Sequence, residues 1–300
     1  MKKANNEKKA LLIINPTSGK TKNEDEINKI VNLLNKQLHI TSLHITSEKG
    51  DATKFIYEYA KFHDMIVCCG GDGTLNEIIT GLMQIKHSIP IGFIPTGTTN
   101  DLASTFKIPM DIKKAIKFIF NGRPVYHDIG MVNDKHYFSY IASFGAFTKV
   151  SYATPQWLKN KFGRFAYFLD GIKRVGEIRP YKLNVKTEDF EETDEFIFGS
   201  VSNSLSIGGI VKLNEDEVSL NDGKFDILLV RSPHNPMELR GILYGLSHKK
   251  YDKKHIIFLQ SREILLEFEE EIDWTADGEQ AKLGKEVRIN NCHNFIQFIR

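Results

Sequence analysis

The 300-residue chain is poor in cysteine, with only Cys68, Cys69 and Cys292. Three cysteines cannot form a disulfide framework, adjacent ones rarely bridge, and no CxxC pair suggests zinc, so a reducing, cytosolic setting is expected. An excess of charge is also missing. Lys plus Arg number 40 and Asp plus Glu 38, a formal charge of +2, which argues against a chain built to coat nucleic acid. No apolar run approaches the roughly 18 residues that a spanning helix needs. The basic N-terminus is followed only by the short apolar run Ala10–Ile14, too short for a signal peptide. There is no fixed-period repeat, no low-complexity linker, no Walker A pattern and no GxGxxG, and Ser and His residues offer no convincing triad. P-loop, dinucleotide-Rossmann and covalent-hydrolase chemistries are therefore unsupported. With 41% hydrophobic and 26% charged residues, the composition is that of a soluble, core-forming protein. At about 100–200 residues per domain, the length suggests two domains.

The first third alternates in type. Ala10–Asn15 reads as a buried strand ending in the turn Pro16-Thr17-Ser18-Gly19. Ile27, Ile30, Val31, Leu34 and Leu38 mark one helix face. A strand over 39–46, a helix starting at Asp51, a strand over 65–69, a helix from about Thr74 and a strand over 89–94 continue the pattern. Such alternation predicts a doubly wound parallel sheet covered by helices on both faces. After about Asp128 extended segments dominate, at 135–144, 181–187, 195–203, 224–231, 255–260 and 263–269. Helical segments interrupt them near 156–175 and 236–246. This half reads as an antiparallel β-sandwich or curved sheet. The expected domains are 1–128 and 129–300, with the last residues packing back on the first domain.

Two loops carry the chemistry. The third strand runs into Gly70-Gly71-Asp72-Gly73-Thr74-Leu75-Asn76-Glu77. Glycines allow close backbone approach, the following helix presents free N–H groups to a phosphate, and strand carboxyl ends are where ligands sit in open sheets. Asp72 would repel a phosphate unless a cation intervened, which implicates Mg2+. One unit later, Pro95-Thr96-Gly97-Thr98-Thr99-Asn100-Asp101 repeats the construction and brings a second carboxylate to the same sheet edge.

Asn15-Pro16, GGDGTLNE and PTGTTNDLA together resemble the bacterial diacylglycerol kinase family, which groups with sphingosine kinases and, more distantly, NAD kinases and phosphofructokinases. The resemblance implies an α/β nucleotide domain followed by a β-rich domain. It implies ATP and Mg2+ as cofactors and a lipid hydroxyl as acceptor, diacylglycerol first among candidates, giving phosphatidic acid. By the same resemblance, Asp72, Asp101 and Asp128 form a water-mediated network around the catalytic magnesium. The nucleotide is held by Gly70, Gly71, Asp72, Gly73, Thr74, Leu75 and Asn76, with Asn15, Thr46 and Thr98. Lys20 is either a phosphate contact or a solvated loop lysine. Glu279, in Asp277-Gly278-Glu279, is the expected general base; taken alone, that tripeptide is an ordinary hairpin turn. Asp222, with backbone carbonyls near Ser219 and Lys224, matches a structural magnesium site, against the alternative of a hairpin turn at Asn221-Asp222-Gly223.

Residues 156–175 combine Trp157, Phe162, Phe165 and Phe168 with Lys159, Lys161 and Arg164. They fit either an anionic membrane surface or a core helix with a solvated basic face. The expected setting is cytoplasmic, peripheral to the inner membrane face, with a lipid substrate and no nucleic acid partner. The sequence does not set the oligomeric state, and a homodimer stays open. Two other functions compete: an NAD kinase relative, disfavoured by PTGTTND, and a non-catalytic nucleotide-binding regulator that docks on membranes.

Overall fold

The first strand shows why the N-terminal part folds as it does. Leu11 to Ile14 are fully buried, as a strand covered on both faces must be. Burial of each such Leu or Ile side chain contributes about 1.5–3 kcal/mol. The computed structural model describes residues 8–19, 24–36, 38–145, 179–204, 206–207, 211–212, 220–248 and 250–300. The residues group into two units, Met1–Ile129 with His293–Arg300, and Gly130–Cys292.

In the first unit the order is β1 (Lys9–Ile14), α1 (Glu24–Leu34), β2 (His39–Ile45), α2 (Asp51–Tyr59), β3 (Met65–Gly70), α3 (Asp72–Gln84), β4 (Pro90–Pro95), α4 (Asp101–Thr105) and α5 (Ile112–Asn121). The strands pair in parallel in the order β2-β1-β3-β4. Gln297 and Phe298, near the chain's end, pair with Pro90 and Ile91 of β4, again in parallel. The order reverses between β1 and β3, the topological switch point where open α/β sheets bind ligands. Helix α1 buries Ile27, Ile30 and Leu34. Leu38, expected on that face, lies beyond the helix, which ends at Leu34. Helix α3 begins at Asp72 rather than near Thr74, because Gly71 is extended and serves as its N-cap. Two helices, α4 and α5, follow β4. Cys68 and Cys69 are core residues of β3, and burial pushes the Cys69 thiol up to about 12.

β5 (Pro124–Val132) follows. The second unit then holds β6 (His136–Phe138), β7 (Ile141–Gly145), β8 (Tyr181–Lys186), β9 (Glu191–Ser202), the short pair β10 (Ser206–Ile207) and β11 (Val211–Lys212), and β12 (Phe225–Arg231). Helix α6 (Pro236–His248), β13 (Ile256–Ser261), β14 (Glu263–Phe268), β15 (Asp273–Ala276), β16 (Glu279–Lys282) and β17 (Glu286–Ile299) complete the order. Pairing within this unit is antiparallel. The first half of β9 pairs with β8 and its second half with β7 and β12. One core cluster, including Phe138, Phe144, Phe196, Phe225, Leu266 and Trp274, lies between the strands. The expected extended segment 135–144 is broken at Ser139 and Tyr140, whose N–H groups donate to Asp277 instead of a strand partner. Helix α6 starts where expected. Pro236 occupies its first position and Asn235 Oδ1 accepts the N–H groups of Met237 and Glu238. The aromatic and basic segment 156–175 lies outside the described residues.

Candidate functional site

The loops that follow β1, β2, β3 and β4 meet at one edge of the first unit's sheet. Asn15 Nδ2 donates to Thr74 Oγ1 at 2.9 Å, tying the β1 loop to the first turn of α3 across the switch point. Its Oδ1 accepts from the N–H and hydroxyl of Thr17 at 2.9 and 2.7 Å. Thr46 is buried beside them, its N–H donating to the Ile14 carbonyl at 2.9 Å. Ser18 Oγ and Thr96 Oγ1 are 2.6 Å apart, which joins the β1 loop to the β4 loop. Lys20 lies outside the described residues.

The two glycine loops touch. A Cβ built on Gly97 would stand 2.7 Å from Gly71 Cα and 2.8 Å from Asn100 Oδ1, so no other residue fits without moving backbone. Thr96 and Gly97 donate their N–H groups to the Gly70 carbonyl at 2.8 and 3.3 Å. This approach brings the aspartates together: the N–H of Asp101 donates to Asp72 Oδ2 at 3.2 Å. The first bond of α3 runs from Leu75 N to Gly71 O. The N–H groups of residues 72–74 therefore precede the helix's own ladder, at its positive end. Asn100 holds a left-handed backbone, donates to the Gly97 carbonyl at 2.7 Å, and leaves its buried Oδ1 without a hydrogen-bond partner among the described residues. Thr98 is exposed at the loop's crest. The Asp72 carboxylate beside these N–H donors is a hard-oxygen and dipole set that fits a magnesium–polyphosphate.

Asp128, on β5, is fully buried. Its Oδ1 accepts from His293 Nδ1 at 2.8 Å and from Asn294 N at 3.1 Å.

In the second unit, Glu279 opens β16 opposite Ala276. It is exposed. Asp277 and Gly278, with φ of +48° and +83°, form the turn before it, a conformation that suits Asp-Gly. The Asp277 side chain is buried and accepts from Ser139 N at 2.6 Å, Ser139 Oγ at 2.8 Å, Tyr140 N at 3.0 Å and Ile141 N at 3.2 Å. Burial pushes its carboxyl above the ordinary range, and the four donors pull against that shift. At the other predicted turn, exposed Asp222 accepts the Lys224 N–H at 2.9 Å, and Asn203 Nδ2 donates to the Leu220 carbonyl at 3.1 Å. Strand β12 leaves this turn to pair with β9 and β13. An exposed carboxylate suits a hard cation, while Ser219 lies outside the described residues.

Several contributors escape sequence reasoning. Ser18 and Thr96 sit inside the two loop motifs, whose sequence does not reveal their mutual bond. Glu77, at the end of GGDGTLNE, accepts the N–H groups of Gly50 at 2.8 Å and Ala52 at 3.2 Å, so it caps α2 rather than facing a ligand. His293 and Asn294 are far from Asp128 in sequence and carry no local signal.

A family model described as the diacylglycerol kinase catalytic domain matches residues 9–132. The diacylglycerol kinase of Bacillus subtilis is 34% identical over 276 residues, covering 91% of this chain and 90% of the relative. That of Staphylococcus saprophyticus is 32% identical, with 91% and 89% covered. The crystal structure of a diacylglycerol kinase from Bacillus anthracis superposes with a TM-score of 0.75 at 25% identity, covering 97% of this chain and 96% of that one.

Proposed function

The chain belongs to the diacylglycerol kinase family and is a lipid kinase, and on that premise we propose that it transfers the γ-phosphoryl of ATP to the hydroxyl of diacylglycerol. The products would be phosphatidic acid and ADP. The observation that carries this reading is the Asp101 N–H to Asp72 Oδ2 contact, which ties the start of α4 to the Asp72 carboxylate at the first turn of α3. Phosphoryl transfer asks mainly for positioning and for neutralisation of charge on the phosphate oxygens.

The role of each residue follows from its chemistry. The loop Gly70 to Asn76 cradles the phosphates, with the N–H groups of residues 72–74 turned to them and Asn15, Lys20, Thr46 and Thr98 as further nucleotide contacts. Asp72, Asp101 and Asp128 hold the catalytic Mg2+, which supplies charge neutralisation when bound. Glu279 accepts the proton of the attacking hydroxyl as the new bond to phosphorus forms. Asp277, two residues before it, anchors the turn and so limits where Glu279 can swing. Asp222, with carbonyls near Ser219 and Lys224, is the candidate for a structural Mg2+. Because diacylglycerol resides in the bilayer, we read the protein as meeting the inner membrane face peripherally. Among the described residues, no helix is long and apolar enough to cross it.

The test is a panel of acceptors offered with radiolabelled ATP and Mg2+: diacylglycerol, a sphingoid base, a long-chain alcohol and NAD. The account expects label in diacylglycerol. Label in NAD alone would make the chain an NAD kinase relative. Tight ATP binding with no labelled acceptor would favour a nucleotide-binding regulator.

A further inference from the structure

A buried polar side chain needs hydrogen-bond partners, and fully buried Asp128 receives two from one dipeptide. His293 donates from Nδ1 to Asp128 Oδ1 at 2.8 Å, and the backbone N–H of Asn294 donates to the same oxygen at 3.1 Å. On the far side of the ring, Asn294 Nδ2 lies 2.8 Å from His293 Nε2. That contact occupies Nε2, so the ring is held at both nitrogens. Asn294 reaches both partners from a left-handed backbone, φ +54°, which Asn tolerates better than most residues. The His293 side chain is 45% exposed. Core packing therefore does not explain a ring fixed at both nitrogens.

We propose that His293 is a positioning residue: through the relay Asn294 to His293 to Asp128 it fixes the orientation in which Asp128 serves the phosphoryl-transfer site. The proposal rests on Asp128 belonging to the magnesium-binding set described above. Groups that orient metal-set residues from behind typically contribute about 10–100-fold to metal affinity or activity. The relay acts through Asp128 and touches no substrate, so it should appear in turnover and not in affinity for ATP.

The test uses the full chain. Nitrogen-15 NMR of the imidazoles, without nucleotide or metal, should show His293 carrying a proton on Nδ1, the nitrogen that faces Asp128. That measurement needs no variant and survives any folding failure. His293→Ala should lower kcat about 10–100-fold while the KM for ATP stays within about twofold. His293→Asn, whose side-chain NH2 lies where Nδ1 lies, should recover most of the loss. A ring without a proton on Nδ1 would overturn the inference. So would His293→Ala turning over normally while Asp128→Asn is inactive, an outcome that leaves the role of Asp128 standing. Normal turnover by Asp128→Asn would remove that role, and the inference with it.

Discussion

Ser139 donates twice to the same oxygen of Asp277, from its backbone N–H at 2.6 Å and from its hydroxyl at 2.8 Å. The other oxygen takes the N–H groups of Tyr140 and Ile141. A turn that Asp-Gly alone would form is thereby pinned to the break between β6 and β7. Glu279, the first residue after the Asp277-Gly278 turn, inherits a fixed starting point. Asp277 thus links local turn chemistry to the placement of the proposed base.

Removing the Asp277 carboxylate should unseat that turn. Asp277→Ala leaves three backbone N–H groups and a hydroxyl without their acceptor, and each buried orphan costs about 1–3 kcal/mol before relaxation. Urea denaturation should show a loss of about 2–5 kcal/mol. Ser139→Ala, which removes one donor of four, should cost only about 1–1.5 kcal/mol. Similar losses from the two variants would argue against a network centred on Asp277.

The contact between the glycine loops predicts an asymmetry. A Cβ on Gly97 would stand 2.7 Å from Gly71 Cα, whereas one on Gly71 would stand 3.3 Å from Gly97 Cα. Gly97→Ala should therefore separate the loops at a cost of about 1–3 kcal/mol, as overpacking does. Its Mg–ATP affinity, measured by calorimetry, should fall well below that of Gly71→Ala. Equal affinities would mean that the loop-to-loop approach does not shape the nucleotide site.

Asp51 gives a pH dependence. The N–H groups of Ser47 and Glu48, then the Ser47 hydroxyl and Lys54, hold its carboxyl well below the usual carboxylate range, against a smaller opposing effect of burial. Its folded pKa is depressed. Its contribution is therefore complete above the unfolded value of about 4 and is lost as pH falls through the folded one. Thermal melts from about pH 6 to about pH 2 should lose stability on the acid side, and Asp51→Asn should flatten that limb. An unchanged acid limb in Asp51→Asn would contradict the assignment.

Much of the first unit was legible because its signals are local. Apolar strands, three- and four-residue helix spacing and glycine-rich turns each announce themselves within about ten residues. GGDGT and PTGTTND therefore place Asp72 and Asp101 on the loops after two neighbouring strands. The misses have a different cause. The break at Ser139 is created by Asp277, 138 residues away, and the setting of Asp128 comes from His293, 165 residues away. No periodicity carries such information. Glu77 shows the converse: a residue within the most informative motif caps a neighbouring helix, and motif membership alone could not separate that role from ligand binding.

The central claim is that Glu279 takes the proton as ATP phosphorylates a lipid hydroxyl. The most direct measurement is transfer of label from ATP to diacylglycerol by Glu279→Gln beside the unsubstituted protein, with Mg–ATP affinity read in parallel by calorimetry. The account predicts unchanged affinity and turnover lower by about 100- to 10,000-fold, the range that positioned proton transfer supplies. Near-normal lipid phosphorylation by Glu279→Gln would contradict it.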